Sequence, residues 1–162
     1  MSASTAASAR HLRDVLGAFP SGVTALAARI DGNPVGIAAS SFTSVSLDPP
    51  LVSVCVGADS RTWPVLSRAP RLGVSVLGAD HGDACRRLSA KEGDRFAGLS
   101  WRETGQGAVL LDDAAAWFDC SIERRVPAGD HEIVVLEIHD YAGDAAVEPL
   151  VFHGGTFRRL AA

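Results

Sequence analysis

The most constraining feature of this sequence is a series of short strand-like runs separated by turn residues, which begins after Gly22. The runs lie at 23–30, 35–38, 40–47, 51–56, 72–77, 116–124, 132–141, 150–152 and 156–160. Most links between consecutive runs are too short for the crossover helices that a parallel sheet requires. Residues 116–124 alternate between apolar and polar side chains, which is the period of a strand. The sequence therefore predicts an antiparallel barrel of about six or more strands.

A few short helices are predicted outside this barrel. The first has apolar residues at the i, i+3, i+4 and i+7 spacing of one buried stripe, namely Leu12, Val15, Leu16 and Phe19. Ser60 or Thr62 would cap a second helix that ends near Ser67, with Pro64 in its first turn. Asp80 is the predicted cap of a third helix.

Length and composition fit one domain. The chain has 162 residues, is 47% hydrophobic and carries a formal net charge of -4, which suits a single buried core and excludes a disordered chain. The mild acidity argues against nucleic-acid binding, and no apolar run approaches the roughly 18–20 residues of a membrane span. We expect residues 1–9, which are small and polar, to form a flexible tail, and residues 10–162 to form the single domain.

The cysteines and the N-terminus favour a cytoplasmic protein. Cys55, Cys85 and Cys120 lie far apart and form no CxxC pair, so they are a poor basis for a disulfide framework. The N-terminus has no basic start and no apolar block of the kind found in signal peptides. His81 and Cys85 are four residues apart, but two ligands without a second pair predict no metal site.

Several common catalytic motifs do not occur in the sequence. There is no Gly-x-Gly-x-x-Gly after a strand, no phosphate-binding loop ending in Lys-Ser or Lys-Thr, and no Gly-x-Ser-x-Gly. A Rossmann dinucleotide site, the usual phosphoryl-transfer apparatus and a nucleophile elbow are therefore not expected.

Three segments carry side chains suited to a ligand site. In residues 35–51, small side chains and hydroxyls would let a flat ligand approach the strand main chain. Residues 59–63 place two hydroxyls and a guanidinium at a predicted helix start, which fits a phosphate. In residues 129–133, Asp130 would orient His131 beside a turn. Each segment alone also has a structural explanation: an exposed polar strand, a helix cap with a surface arginine, and a structural histidine.

Taken together, these segments resemble the flavin reductase-like domain family, the small reductase components of two-component flavin monooxygenases. The resemblance covers nearly the whole chain, from Leu12 to Leu160, and rests on the order and spacing of its markers. The markers are residues 19–24, 39–50, 60–63, 73–77, 129–131 and 149–152.

The resemblance implies a mainly β, antiparallel split barrel of the FMN-binding type with a few short peripheral helices. It implies a homodimer that reduces FMN, or FAD, with NADH or NADPH and supplies a partner monooxygenase. The flavin-lining residues it implies are Ala38, Ala39, Ser40, Ser41, Phe42, Ser44 and Val45. The phosphate would be held by Asp59, Ser60, Arg61 and Thr62. His131 would be the catalytic-site histidine that positions the nicotinamide, with Phe152 and His153 nearby.

The chain departs from the family pattern at two places. Ser75 stands where many relatives have Asn, and His153-Gly154 replaces a common Tyr-Arg, which leaves the choice between NADH and NADPH open. Three other functions stay open: an oxidase resembling pyridoxamine-phosphate oxidases, a flavin carrier or sensor without turnover, and a structural barrel without a ligand. The preference between FMN and FAD and the identity of the partner oxygenase are also open.

Overall fold

The computed structural model describes residues 3–161, which form three helices and twelve strands. The helices are α1 (Ala3–Leu16), α2 (Trp63–Leu66) and α3 (Gly82–Leu88). The strands are β1 (Ser21–Gly22), β2 (Thr24–Ile30), β3 (Asn33–Ala39), β4 (Thr43–Leu47), β5 (Pro50–Gly57), β6 (Leu72–Val76), β7 (Trp101–Glu103), β8 (Val109–Leu111), β9 (Ala116–Ala128), β10 (His131–Gly143), β11 (Val151–His153) and β12 (Thr156–Arg158). The predicted mainly β, antiparallel architecture is confirmed.

The main sheet has seven strands in the order β3-β2-β6-β9-β10-β5-β4, all paired antiparallel. Its two edge strands, β3 and β4, are consecutive in the chain and are joined by residues 40–42 alone. Seven flat strands would place the edges roughly 29 Å apart, whereas so short a link reaches at most about 14 Å. The sheet must therefore curl until its edges approach, which produces a barrel with a split.

A tight hairpin determines which main-chain groups face the split. Asp31 and Gly32 have φ angles of 49° and 83°, as in a two-residue type I′ turn, and they pair Ile30 with Asn33. Successive residues of an antiparallel strand point their N–H and C=O groups to opposite sides of the strand. Pro34, which has no N–H, therefore lies at a position that faces away from β2. Gly36 and Ala38 lie two and four residues after Pro34, so they face the same side. Both therefore present their N–H and C=O to the free edge of β3.

Strand β2 is buried on both faces and separates two apolar clusters. Leu26 packs into the barrel core together with residues of β5, β6 and β10. Ala25 and Ala27 point the other way, into an outer core that includes Leu88 of α3 and Phe96. The outer core fixes α3 and the segment after it against the strands that border the split.

The first helix differs from its sequence prediction. It begins at Ala3, so residues 3–9 form its first turns, where a tail was predicted; residues 1 and 2 lie outside the described residues. The predicted buried stripe is wrong for the single chain, because Leu12, Val15, Leu16 and Phe19 are 57%, 56%, 63% and 79% exposed. Helical spacing shows which side chains share a face, but not whether another element covers that face.

Local details also differ from the sequence prediction. Asp80 does not cap α3, whose N-cap position is His81; the Asp80 carboxylate instead pairs with Arg159. The short strands β1, β7 and β8 were not predicted, because two or three residues carry no measurable periodicity. Within residues 3–161, no helix combines the length and the apolar character needed to cross a bilayer.

Candidate functional site

The candidate site lies where the main sheet fails to close. Strand β4 pairs with β5 only as far as Ser53, and the rest of β5 keeps β10 on its other side. The Ser41 hydroxyl bridges this open edge, since it accepts a hydrogen bond from Cys55 N at 2.8 Å and donates to Cys55 O at 3.1 Å. Gly57, two residues farther along, faces the same gap by strand alternation.

A crevice of about 450 Å³ occupies the gap between the ends of β3 and β5. Seven residues predicted from the sequence line it: Ala38, Ala39, Ser40, Ser41, Asp59, Ser60 and His131. They come from the end of β3, the turn after β5 and the start of β10, so only the folded topology brings them together. Because the Ser41 proton is donated to Cys55 O, this hydroxyl bridges the open edge of β5 and is not a free donor for a ligand.

Small residues leave the main chain of the crevice uncovered. A Cβ atom added to Gly57 would lie 2.8 Å from Asp59 Oδ1 and 3.8 Å from His131 Nε2, so a side chain there would crowd both groups. Across the gap, Ala38 contributes a methyl group together with the N–H and C=O that the sheet leaves unpaired. The crevice therefore offers a flat wall with main-chain hydrogen-bonding groups, which suits a planar heterocycle.

His131 stands at the mouth of this crevice and is oriented by its neighbour. Its register partner on β5 is Gly57, and its Nδ1 lies 2.7 Å from Asp130 Oδ1. The hydrogen bond from the imidazole holds the pKa of the Asp130 carboxyl below its usual range. With Nδ1 engaged by Asp130, Nε2 is the ring nitrogen on the side of Gly57. The side chain is half exposed, so it is accessible to a ligand.

A second contact ties the turn after β5 to the strand that carries His131. Trp63 Nε1 donates to the Glu132 carboxylate, which also accepts from Arg125 Nε at 3.0 Å and Nη2 at 2.7 Å. The Arg125 guanidinium lies 5.7 Å from the Trp63 ring, a cation–π distance. The hydrogen bonds from Arg125, and secondarily from Trp63, lower the pKa of Glu132. Sequence reasoning missed Arg125 and Glu132, because only the β9–β10 register places them together.

The crevice continues past Ser60 into a space of about 450 Å³ that is lined by Asp59, Ser60, Arg61, Thr62, Lys91 and Arg95. We call Arg61, Lys91 and Arg95 the basic end. Within residues 3–161, none of these three cations forms an ion pair. The Ser60 hydroxyl accepts from Trp63 N at 3.2 Å and so shapes the turn. Arg61 and Thr62 lie where a phosphate site was predicted, whereas Lys91 and Arg95 were not predicted.

The opposite side opens into a space of about 250 Å³ that shares Ala38, Ala39, Ser40 and Ser89 with the crevice. We call Cys85, Phe152 and Phe157, which line it, the apolar end. The two phenyl rings meet edge to face with centroids 5.8 Å apart, and the Arg86 guanidinium lies 5.0 Å from the Phe157 ring. Burial raises the pKa of the Cys85 thiol, which keeps it protonated at neutral pH.

Four residues predicted for the site line neither the crevice nor its two ends in the single chain. Phe42 stacks on Phe118 with ring centroids 5.7 Å apart and packs against the barrel core. Ser44 pairs with Val52, Val45 is 50% exposed, and His153 pairs with Thr156. Their contacts with a ligand stay predictions.

Two other residues that the sequence singled out have structural contacts. The Ser75 hydroxyl is buried and accepts a hydrogen bond from Leu111 N at 2.9 Å. A small side chain with a hydroxyl at this position therefore has a structural role in packing. His81 Nδ1 accepts from Gly78 N at 3.0 Å. Across residues 3–161, no three His, Cys, Asp or Glu side chains are grouped as a metal site would need.

Comparisons with known proteins cover the part of the chain that forms the crevice. The family described as flavin reductase like domain matches residues 16–161, which include every residue that lines the crevice and its two ends. A probable flavin reductase of Rhizobium meliloti is 42% identical over 127 residues, 78% of this chain, and the chain spans 41% of that relative's length. The reductase subunit HsaB of a flavin-dependent monooxygenase from Rhodococcus jostii is 36% identical over 148 residues, 91% of this chain and 76% of that protein.

A solved structure is similar over almost its full length. It is the NADH:FAD oxidoreductase SgcE6 of Streptomyces globisporus in complex with NAD and FAD fragments, at 40% identity and a TM-score of 0.89. The match covers 94% of this chain and 93% of that chain.

Proposed function

The chain belongs to the flavin reductase-like domain family, and from this we propose that it reduces a flavin with NADH or NADPH and supplies the reduced flavin to a partner monooxygenase. The sequence resemblance to the family is confirmed. The observation that carries the proposal is the open split, where the unpaired main chain of Ala38 faces Gly57 beneath His131. The protein is an oxidoreductase whose partners are a flavin, a nicotinamide nucleotide and an oxygenase.

The residues of the crevice fit a flavin. The flat wall at Ala38 and Ala39 accepts a planar ring, and the hydroxyls of Ser60 and Thr62 with the Arg61 guanidinium accept a phosphate. A bound flavin supplies an electron-accepting ring, and the nicotinamide supplies a hydride. The Ala38 N–H, fixed at the sheet edge, stabilises negative charge on a ring placed against it without any reorganisation.

His131 positions the nicotinamide and does not transfer a proton, because a direct hydride transfer needs no general base. Its ring is held by Asp130 through Nδ1 at 2.7 Å, which leaves Nε2 for the ligand. We expect His131→Ala to raise the nicotinamide KM by roughly two- to tenfold, the loss of one hydrogen bond, and to spare flavin affinity. Steady-state kinetics identical to those of the wild type would remove His131 from the site.

The assay for the function is the oxidation of reduced nicotinamide with and without added flavin. We expect oxidation of NADH or NADPH that requires FMN or FAD, and the two nicotinamides compared side by side establish the preference. Flavin binding without oxidation would contradict the proposal and indicate a carrier or sensor. Oxidation of pyridoxamine phosphate in place of NAD(P)H would indicate an oxidase.

We also propose that the protein is a cytoplasmic homodimer. The exposed α1 stripe supports the dimer, since burying side chains such as Leu12 and Leu16 contributes about 1.5–3 kcal/mol each. The unpaired thiols of Cys55, Cys85 and Cys120 suit a reducing compartment. Light scattering should give twice the mass of one chain, and the mass of a single chain would contradict the dimer.

A further inference from the structure

On the basis of the flavin reduction proposed above, we propose that the basic end binds the second phosphate of a flavin dinucleotide, with Lys91 as the residue that makes the chain prefer FAD to FMN. The two flavins share the ring and the first phosphate and differ beyond it. A residue that distinguishes them must therefore lie outside the Ser60–Thr62 turn. Lys91, the only lysine of the chain, lines the same space from the segment after α3.

The space beyond the crevice is lined both by the turn and by the segment after α3. Asp59, Ser60 and Arg95 line both the crevice and the space beyond it, whereas Arg61, Thr62 and Lys91 line only the second. A single phosphate held by Arg61 and the hydroxyls fills only part of this space of about 450 Å³. A dinucleotide brings a second phosphate into the remaining part, toward Lys91.

The charge of the basic end is not neutralised within the described chain. Asp59 is the only carboxylate among the residues that line this space, against three cations. The nearby acids Glu92 and Asp94 do not line it, and the Asp94 carboxylate accepts a hydrogen bond from Phe96 N at 3.0 Å. Such a cluster attracts a polyanion. A phosphate monoester already carries about -1.5 to -2 charges, so the spatial reach of the cations, not their total charge, distinguishes FAD from FMN.

The basic end is held in place before a ligand arrives. Arg95 Nη1 donates to Gly36 O at 3.1 Å, and the adjacent Phe96 is buried against β3, where a Cβ on Gly36 would lie 2.9 Å from Phe96 Cζ. Arg61 Nη2 donates to Lys91 O at 3.3 Å, which joins the turn to the segment after α3. Because these segments are already fixed, a diphosphate would not have to order them on binding.

The test compares dissociation constants for FAD, FMN and riboflavin, measured by quenching of flavin fluorescence. We expect the wild type to bind FAD more tightly than FMN. Lys91→Gln should weaken FAD by about three- to tenfold, as one exposed charge-assisted contact predicts, and change FMN and riboflavin by less than about twofold. Arg87→Gln is the matched control, because Arg87 is an exposed cation of α3 outside these linings, and all three constants should stay unchanged.

Three results would overturn the proposal: equal wild-type affinities for FAD and FMN, equal losses of both flavins in Lys91→Gln, or no loss of either. Equal losses would assign Lys91 to the first phosphate. These constants are measured without turnover, so they are independent of the reductase assay. A wild type that binds flavin but oxidises no nicotinamide would contradict the proposed function and leave the phosphate subsite standing. An active wild type with an unaffected Lys91→Gln variant would contradict only the phosphate subsite.

Discussion

The two ends of the crevice offer a ligand different physical means of recognition. The basic end presents three cations on a turn and on the segment after α3, whereas the apolar end presents two phenyl rings in edge-to-face contact. Charges act over several ångströms and are screened by salt, while apolar burial depends on contact area and is not. One crevice can therefore hold the anionic tail of one nucleotide and the ring of another without either competing for the same groups.

The largest expected effect is at the basic end. Arg61→Ala should weaken FMN relative to riboflavin by roughly 1.5–3 kcal/mol, the loss of one charge-assisted hydrogen bond to a phosphate. Fluorescence titration of both ligands measures the difference. Arg68→Ala is the matched control, since Arg68 is exposed and does not line the basic end. Equal weakening of FMN and riboflavin would contradict a phosphate role and with it the assignment of this end to the anionic tail.

A smaller effect is expected at the apolar end. Phe157→Ala removes the edge-to-face contact with Phe152, an aromatic pair worth about 0.5–1.5 kcal/mol, together with the contact with the Arg86 guanidinium. We expect the nicotinamide KM to rise by roughly two- to tenfold with FMN affinity unchanged. The readout is steady-state kinetics with a thermal melt of each variant. Leu160→Ala, which truncates an apolar side chain that is 59% exposed, should leave both parameters as they are.

Salt distinguishes the two ends most directly. Raising the ionic strength should shrink the effect of Arg61→Ala on FMN affinity, since the Debye length falls from about 10 Å at 0.1 M to about 3 Å at 1 M. The effect of Phe157→Ala on KM should persist. If salt reduced both effects alike, the proposed difference between a charged end and an apolar end would be wrong.

The sequence predicted the features that are local and missed those that depend on register. Ser60, Arg61 and Thr62 are adjacent in the chain, so their motif could be found without a structure. Lys91 and Arg95 follow α3 and reach the same space only because Phe96 packs into the outer core. Glu132 and Arg125 meet only through the β9–β10 register.

Periodicity had a similar limit. It identified strands such as β5, in which buried and half-buried residues alternate. It also found the apolar stripe of α1, but the spacing of Leu12, Val15 and Leu16 contains no information about what covers them. The structure leaves all three exposed in the single chain.

The smallest expected effect concerns the contact that holds the basic end to β10. Hydrogen bonds from Arg125 and Trp63 lower the pKa of Glu132 from its ordinary 4.5, so its ionised form stabilises the folded protein. This contribution is fully present above the unfolded pKa and is lost as the pH falls through the folded value. Glu132→Gln should therefore lower the free energy of unfolding by about 0.5–1 kcal/mol at neutral pH, and the difference should vanish in acid.

Urea unfolding of the wild type and of Glu132→Gln, from neutral pH to below the folded pKa of Glu132, measures the difference in the free energy of unfolding. Glu137→Gln on the same strand is the control, since no ion pair of Glu137 is found within residues 3–161. A Glu132→Gln difference that persisted below the folded pKa would show that side-chain packing, not the carboxylate charge, supports the turn. The basic end would then be held in place by the Trp63 ring in the barrel core, and its ability to bind phosphate would not depend on pH through Glu132.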